Sequence, residues 1–571
     1  MILEQITEQL TETLRTRVLA LFGHAVDRVI LQAPPKLNMG DLATPLCLEL
    51  AKALKRKPRE IAAAVAKGLK LPMLVQSVSV EGAGYLNFRF DRGAFAAAHI
   101  RTVMTSLATG GERVIVEHTN INPNKAAHIG HIRNAVLGDT LVRCLHWLGN
   151  KVEVQNYIDD TGVQVADVVV AFERLLKESA EQVATRAADP KFDHFCWDLY
   201  AKITHYYAQH PESQQWRPDT LHRIERGEGE SWRISRVIVR AIMHRHIETA
   251  LRLGIEYDLL PKESDIIGLH FWERAFELLK KSDAVVYETE GKHKGCWVMK
   301  LEGSEEFEGM NEPDKILVRS NGTVTYTGKD IAYQLWKFGL LDRTFNYREF
   351  LRYADGRILW ESTTEEGSPA APKFGGAQRV YNVIDVRQAY LQKVVKEGLR
   401  LLGHAREAER SIHFSYEMVA LTPETAKALG MDMSEEDATR AYVEMSGRKG
   451  LGVKADDLLN TLEEKATEAV REGMKAEGLS DEETRTLGKQ VAVAALRYFM
   501  LKFGRNKVIA FDFGEALTFE GDSGPYLQYS TVRVQNIFRK MQERGVDPLI
   551  DDRALDRLTL NEGLTDEMWE L

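Results

Sequence analysis

Two histidines three residues apart, His128 and His131, follow the loop Asn120-Ile121-Asn122-Pro123-Asn124-Lys125 and open an apolar-periodic stretch. Residues at i and i+3 share a helix face, so both imidazoles can reach one ligand. A helix N-terminus offers unpaired N–H groups and the positive end of the helix dipole, which suit phosphate. Two other readings stand beside this one: a pair of metal ligands, or ordinary surface histidines. No cysteine cluster or H-E-x-x-H pattern accompanies the pair, which weakens the metal reading. The elements that must hold the histidines are legible on either side. Val114-Ile115-Val116 reads as a short buried parallel strand. Ile129, Ile132, Val136, Leu141, Leu145 and Leu148 recur at helical spacing, and Gly149-Asn150 stops that helix before a second strand, Val152 to Ile158. The unit is strand–loop–helix–strand, with the histidines and Gly130 at the helix start.

His128-Ile129-Gly130-His131 resembles the HIGH signature of class I aminoacyl-tRNA synthetases. The longer runs Val116-Glu117-His118-Thr119-Asn120 and Asn156-Tyr157-Ile158-Asp159-Asp160-Thr161-Gly162-Val163-Gln164 resemble arginyl-tRNA synthetases in particular. The resemblance implies a multidomain α/β protein. Its parts are a class I, Rossmann-like (HUP-type) parallel-sheet catalytic core, an α+β N-terminal domain and a truncated all-α C-terminal domain.

The bulk properties agree. At 571 residues the chain is too long for one core and suggests three to four domains. No apolar run is long enough to span a membrane. The amphipathic start, with Ile2, Ile6, Leu10, Leu14, Val18 and Leu21 on one face, is a surface helix rather than a signal peptide. Four scattered cysteines, Cys47, Cys144, Cys196 and Cys296, fit reduced thiols in the cytoplasm. A net charge of −9 argues against a general nucleic-acid coat protein, so any polyanion must be met by local patches such as Lys52 to Arg59.

In chain order, residues 1–109 read as an N-terminal module. A turn at Leu37 to Thr44, capped by Asp41 or Asn38, feeds a helix. Tyr85, Asn87 and Arg89 then alternate with Leu86, Phe88 and Phe90 on a strand and form an outward row. The resemblance makes this the tRNA D-loop-binding domain, with Tyr85 and Asn87 at the matching positions. Residues 110–400 read as the catalytic domain, interrupted by a helical connective insertion at about 165–318. Ligands of such sheets lie at the carboxyl ends of strands. Three features are expected there: the opening loop, Asn156 to Gln164, and Val324 to Tyr333, where a strand passes into a helix. Neither G-x-G-x-x-G nor a Walker A motif is present. A guanidinium is best met by carboxylates. The resemblance supplies Glu117, Asn122, Tyr326, Asp330 and Gln388 as arginine-binding residues. Residues 354–377, with Ser362 to Pro369 and Gly375-Gly376, read as a mobile surface loop, to which no function is assigned.

Residues 401–519 read as a stem-contact region. There Met445-Ser446-Gly447-Arg448-Lys449 sits in a glycine-rich basic loop suited to triphosphate, and Asp456-Asp457 can cap the next helix. The loop resembles a degenerate second class I signature, KMSKS. In the family a lysine just before HIGH is thought to compensate, here Lys125. The resemblance thus implies ATP contacts at His128, Gly130, His131, Met445 and Ser446. It implies catalytic roles for His128, His131, Lys125, Arg448 and Lys449, with Mg²⁺ accompanying ATP and no protein metal site. Residues 520–571 resemble the start of a helical anticodon-binding domain, incomplete here. The expected activity is ATP-dependent arginylation of tRNA(Arg) by a cytoplasmic monomer that uses L-arginine and binds neither DNA nor membrane. A HIGH-type nucleotidylyltransferase and a non-catalytic tRNA-binding relative are the alternatives.

Overall fold

The computed structural model describes residues 2–105, 111–282, 285–301, 307, 314–322, 324–431, 439–440, 442–443, 453–473, 479–547 and 569. Two compact units emerge: Met1–Thr109 with Asn536–Leu571, and Gly110–Gln535.

The first unit contains α1 (Ile2–Phe22), β1 (Leu42–Thr44), α2 (Leu46–Leu54), α3 (Pro58–Ala66), β2 (Val75–Glu81), β3 (Tyr85–Phe90) and α4 (Arg92–Thr105). The strands form an antiparallel sheet in the order β1-β3-β2. Ile6, Leu10, Leu14 and Val18 of α1 pack with Leu46, Leu50, Ile61, Val65, Leu86 and Phe88 in one core. Two expectations fail here. Asp41 does not cap α2; its carboxylate accepts from Phe90 N at 2.8 Å and pairs with Arg92 at 2.9 Å. Asn87 is not on an exposed row, because the loop before β1 lies over it. It is 5 % exposed and its Nδ2 donates to Met39 O at 2.8 Å.

The second unit opens with β4 (Arg113–Glu117), α5 (Ile129–Trp147) and β5 (Lys151–Gln155). A helical array follows: α6 (Val163–Val170), α7 (Ala180–Ala187), α8 (Phe192–Gln209), α9 (Trp216–Arg226) and α10 (Gly229–Arg252). The chain returns through β6 (Leu259–Leu260), α11 (Glu263–Gly268) and α12 (Phe271–Lys281), then β7 (Val285–Tyr287), β8 (Trp297–Met299), β9 (Lys315–Val318) and α13 (Tyr326–Lys337). Next come β10 (Asn346–Arg352), β11 (Ile358–Thr363), β12 (Arg379–Asp385), α14 (Ala389–Leu401), α15 (Ala405–Arg410), β13 (Ser411–Tyr416), β14 (Val419–Leu421) and α16 (Pro423–Ala428). The unit continues with α17 (Ala455–Gly473), α18 (Asp481–Lys502), β15 (Ile509–Phe511), α19 (Phe513–Leu517) and the start of α20 (Gly524–Glu543). Among the described residues no helix is long and apolar enough to cross a membrane.

A seven-stranded sheet, β10-β11-β6-β5-β4-β12-β13, centres this unit. All its pairings are parallel except β10 with β11. Among the five strands β6-β5-β4-β12-β13, the order across the sheet is third, second, first, fourth, fifth along the chain. The order therefore reverses between β4 and β12, and a crevice opens at their carboxyl ends. Buried Ile115, Val116, Val380 and Val383 tie these central strands to the cores on either face.

The stretch 354–377 is not a mobile loop. It contains β11, whose Glu361, Ser362 and Thr363 are all buried. Glu361 is paired with Lys262, Arg240 and Arg348, and Ser362 Oγ donates to Asp265 at 2.6 Å. Gly375 N donates to the buried carboxylate of Glu153. These polar residues are buried because distant elements satisfy them, which a local composition cannot reveal. The strand before α13 is also not part of the large sheet: β9 belongs to a separate three-stranded sheet, β7-β8-β9.

Candidate active site

The first signature begins at the end of β4. Thr119 and Asn120 follow with φ of 78° and 45°, a conformation that non-glycine residues rarely hold. The bend is pinned from several elements. Asn134 Oδ1 on α5 accepts from Thr119 N at 2.6 Å, and Thr119 Oγ1 meets Tyr257 OH at 2.7 Å. Asn156 Oδ1 accepts from Asn120 N at 3.0 Å, while Asn120 Oδ1 accepts from Tyr157 N at 2.9 Å. The remaining amide of Asn120 donates to Glu117 Oε1 at 2.8 Å. Asn134 in turn donates to Val383 O on β12, so α5 ties the bend to the central strands.

His128 is the N-cap of α5, and the two histidines cap the turn reciprocally. Gly130 N donates to His128 Nδ1, and His128 N donates to His131 Nδ1, each at 3.1 Å. The rings stack with centroids 3.6 Å apart. An Nδ1 that accepts a hydrogen bond leaves the proton on Nε2. Burial, then the charges of Lys125 and Arg387, push the His128 pKa down to about 3. Burial, then His128 and Lys125, hold His131 well below its usual value. Both are neutral donors, and neither Nε2 has a hydrogen-bond partner among the described residues. Gly130 serves this arrangement: a Cβ there would lie 3.0 Å from the His128 ring.

Lys125 is 9 % exposed. Its ammonium lies 5.1 Å from the Tyr200 ring centroid and 5.6 Å from that of Trp197, both on α8, and 3.4 Å from Gln164 Oε1. After burial, the Lys125 charge is the largest influence depressing the His128 pKa. The segment that follows the second signature in the chain joins this region. Ala455 N donates to Ala127 O at 2.8 Å, and His128 and Lys454 form an antiparallel bridge. Asp456 does not act as the expected helix cap; it pairs with Arg252 at 2.6 Å and accepts from Thr249 Oγ1 at 2.9 Å. Met445, Ser446, Arg448 and Lys449 lie outside the described residues.

A cleft of about 600 Å³, counting the space open to solvent, occupies the crevice between β4 and β12. Glu117, Asp330 and Gln388 line it, together with Asn120, Tyr333, Lys337 and Asn382. Lys337 Nζ lies 2.5 Å from Glu117 Oε2, with both side chains buried. Asp330 makes no hydrogen bond or ion pair among the described residues. Burial, then the carboxylates of Glu263 and Glu117, raise its pKa to about 7 against the opposing pull of Lys337 and Lys329. A carboxylate with no partner of its own in a desolvated cleft is an acceptor for a cation. Beside the cleft, Lys329 pairs with Glu263 at 2.8 Å. Burial and Glu263 raise Asp159 well above the carboxylate range.

The structure therefore gathers Glu117, Asp330 and Gln388. Asn122 is not in the cleft lining; it sits half-buried in the loop, with its carbonyl accepting from Asn124 N at 2.8 Å. Tyr326, at the first turn of α13, is 53 % exposed and likewise outside the lining. Sequence reasoning missed Asn120 and the α13 residues Tyr333, Gln334 and Lys337. The signal was there: they stand three, four and seven positions after Asp330, the spacing of one helix face.

Comparison with known proteins agrees with this geometry. Residues 3–90 match the family described as "Arginyl tRNA synthetase N terminal domain", and residues 98–342 match "tRNA synthetases class I (R), catalytic domain". The chain is 37 % identical over 546 residues to the arginine–tRNA ligase of Pyrococcus abyssi, covering 92 % of this chain and 81 % of that protein. It is 36 % identical over 525 residues to that of Deinococcus radiodurans, covering 92 % and 79 %. The solved Thermus thermophilus arginyl-tRNA synthetase superposes with a TM-score of 0.72 at 33 % identity, covering 93 % of this chain and 82 % of that one. With its two-histidine helix cap, its acidic cleft at the strand-order reversal and these relatives, the chain belongs to the class I arginyl-tRNA synthetases.

Proposed function

We propose that the chain activates L-arginine with ATP and transfers it to the 3′-terminal adenosine of tRNA(Arg). Its relatives across nearly the whole chain are arginine–tRNA ligases. The observation that carries the assignment to arginine is Asp330: a carboxylate without an ion-pair partner among the described residues, in the cleft that Glu117 also lines. Glu117, Asp330 and Gln388, with Asn120, receive the amino acid. A guanidinium suits this set because it spreads its charge over five donors, and planar acceptors can meet it bidentately.

Activation proceeds by in-line attack of the arginine carboxylate on the α-phosphorus, with pyrophosphate leaving. A ribose hydroxyl of the tRNA then takes the arginyl group, and AMP leaves. The protein contributes position and electrostatics rather than covalent chemistry. The Nε2–H groups of His128 and His131 donate to phosphate oxygens, and Lys125 supplies positive charge beside them. Arg448 and Lys449 are assigned to the triphosphate by their place in the second signature. Mg²⁺ fits as an ion carried by the ATP phosphates. Among the described residues, the grouping with metal-ligand spacing is Asp193, His194 and Asp456, and Arg252 already occupies Asp456. Of the N-terminal pair, Tyr85 keeps a part-exposed ring for contact with a tRNA base, whereas Asn87 is committed to the fold.

Arginine-dependent ATP–pyrophosphate exchange, measured with and without total tRNA, tests the assignment. Exchange with arginine, and arginylation of tRNA, are the expected results. Folded protein that gives neither is not an arginine–tRNA ligase. A nucleotidylyltransferase would exchange pyrophosphate without charging any tRNA.

A further inference from the structure

One flank of α10, the longest helix of the insertion, touches both the loop before the first signature and the segment after the second. His246 is 5 % exposed, and its Nε2 lies 2.8 Å from Lys125 O. The carbonyl can only accept, so that nitrogen carries the proton. Burial, opposed by the bond to Lys125 O, pushes the His246 pKa down to about 4, so the ring is neutral at working pH. Three residues on, Thr249 Oγ1 donates to Asp456 Oδ2 at 2.9 Å. Three further on, Arg252 donates to Asp456 Oδ1 at 2.6 Å and also reaches Asn460 and Glu463 of α17. Asp456 follows Lys454 and Ala455, which are joined to His128 and Ala127. The result is a closed circuit: Lys125 to Ala127 and His128, across to Lys454–Asp456, and back through Arg252, Thr249 and His246.

We propose that His246, Thr249 and Arg252 are positioning residues for arginine activation. They set the backbone at Lys125 in register with the segment that follows the second signature. Neither contact touches arginine or its cleft, so the flank acts on the ATP side of the reaction alone. The physical reason for needing it is visible in the sequence of contacts. Lys125 sits in a loop, and the only helix it directly precedes is entered through His128. Its carbonyl is fixed from outside that helix by His246. A displacement of about 1 Å in such a loop can cost on the order of 10²-fold in rate.

The proposal rests on the arginine-activation reading, and the parental chain's own exchange activity separates the two: an inactive parent sinks that reading, an active one exposes this proposal to test. The experiment compares His246→Leu, His246→Gln, Asp456→Asn and the double variant His246→Leu/Asp456→Asn in the full chain, by pyrophosphate exchange and thermal unfolding. His246→Leu should lower kcat about 10²-fold with the arginine KM unchanged. His246→Gln, whose amide can donate to the same carbonyl, should recover most of that loss. Asp456→Asn keeps an acceptor for Thr249 but loses the charge that holds Arg252, and should lower kcat less while leaving the unfolding temperature near the parent's. The double variant should lose less than the product of the single losses, because both residues hold one register. The proposal is overturned if kcat is unchanged in His246→Leu and Asp456→Asn, if the arginine KM rises in step with the kcat loss, or if the losses multiply. It is also overturned if His246→Gln is as slow as His246→Leu.

Discussion

His128 and His131 are each the other's support: the Nδ1 atoms of both rings accept backbone N–H groups of the same helical turn, and the rings stack at 3.6 Å. The pair is at once the cap that starts α5 and a source of two outward N–H donors. In the proposed reaction, structure and chemistry use different nitrogens of the same rings.

That division can be separated by mutation. Asparagine is a good N-cap but cannot reach as far as Nε2. His128→Asn should therefore keep the unfolding temperature close to the parent's while lowering the exchange kcat by about 10²- to 10³-fold, the usual effect of losing one preorganised donor. His128→Ala should add a stability loss of about 1 kcal/mol. Thermal unfolding and exchange kinetics on the two variants check this; equal stability losses in both would refute the capping role.

Asp330 should make arginine binding pH-dependent. Its folded pKa of about 7 lies above the ordinary carboxylate value. The folded chain therefore binds a proton there that the unfolded chain has lost. This group's contribution to stability is fullest below about pH 4 and falls as pH rises to about 7. A cationic substrate favours the ionised form, so arginine binding near pH 7 should release a proton. The arginine KM should fall roughly tenfold from pH 6 to pH 8. Titration calorimetry in buffers of different ionisation enthalpy counts the proton, and Asp330→Asn should raise KM and flatten the profile. A flat profile in the parent chain would exclude this role.

Lys125 tests the division between the two substrates. It stands over Tyr200 and Trp197, apart from the cleft residues Glu117 and Asp330. Lys125→Ala should lower the exchange kcat by about 10²-fold or more, since the cation acts on charge that develops at the phosphates. Arginine affinity, read by equilibrium dialysis, should change by less than about twofold. A normal exchange rate would remove Lys125 from the activation step.

Local sequence determined a good deal by itself. The 3.6-residue spacing of Ile129, Ile132 and Val136 gave the helix, and the apolar run Val114 to Val116 gave the strand before it. The two histidines marked the helix start, because caps and periodicity act within a single turn. Glu117 and Asp330 entered as arginine-binding candidates through the family resemblance rather than through local spacing. Tertiary structure decided which polar residues face the ligand and which serve the fold. Asn87, Asp41 and Asp456 carry groups suited to binding or capping, yet each is engaged by a partner distant in sequence: Met39, Arg92 and Arg252. Residues 354–377 looked like a polar loop, but β11 is buried because Lys262, Arg240 and Arg348 neutralise Glu361. The same limit hid Lys337, whose pairing with Glu117 joins a helix to a strand some two hundred positions earlier. Such pairings depend on which elements the sheet order brings together, and a buried polar group's energy is set by those partners rather than by its own neighbours in the chain.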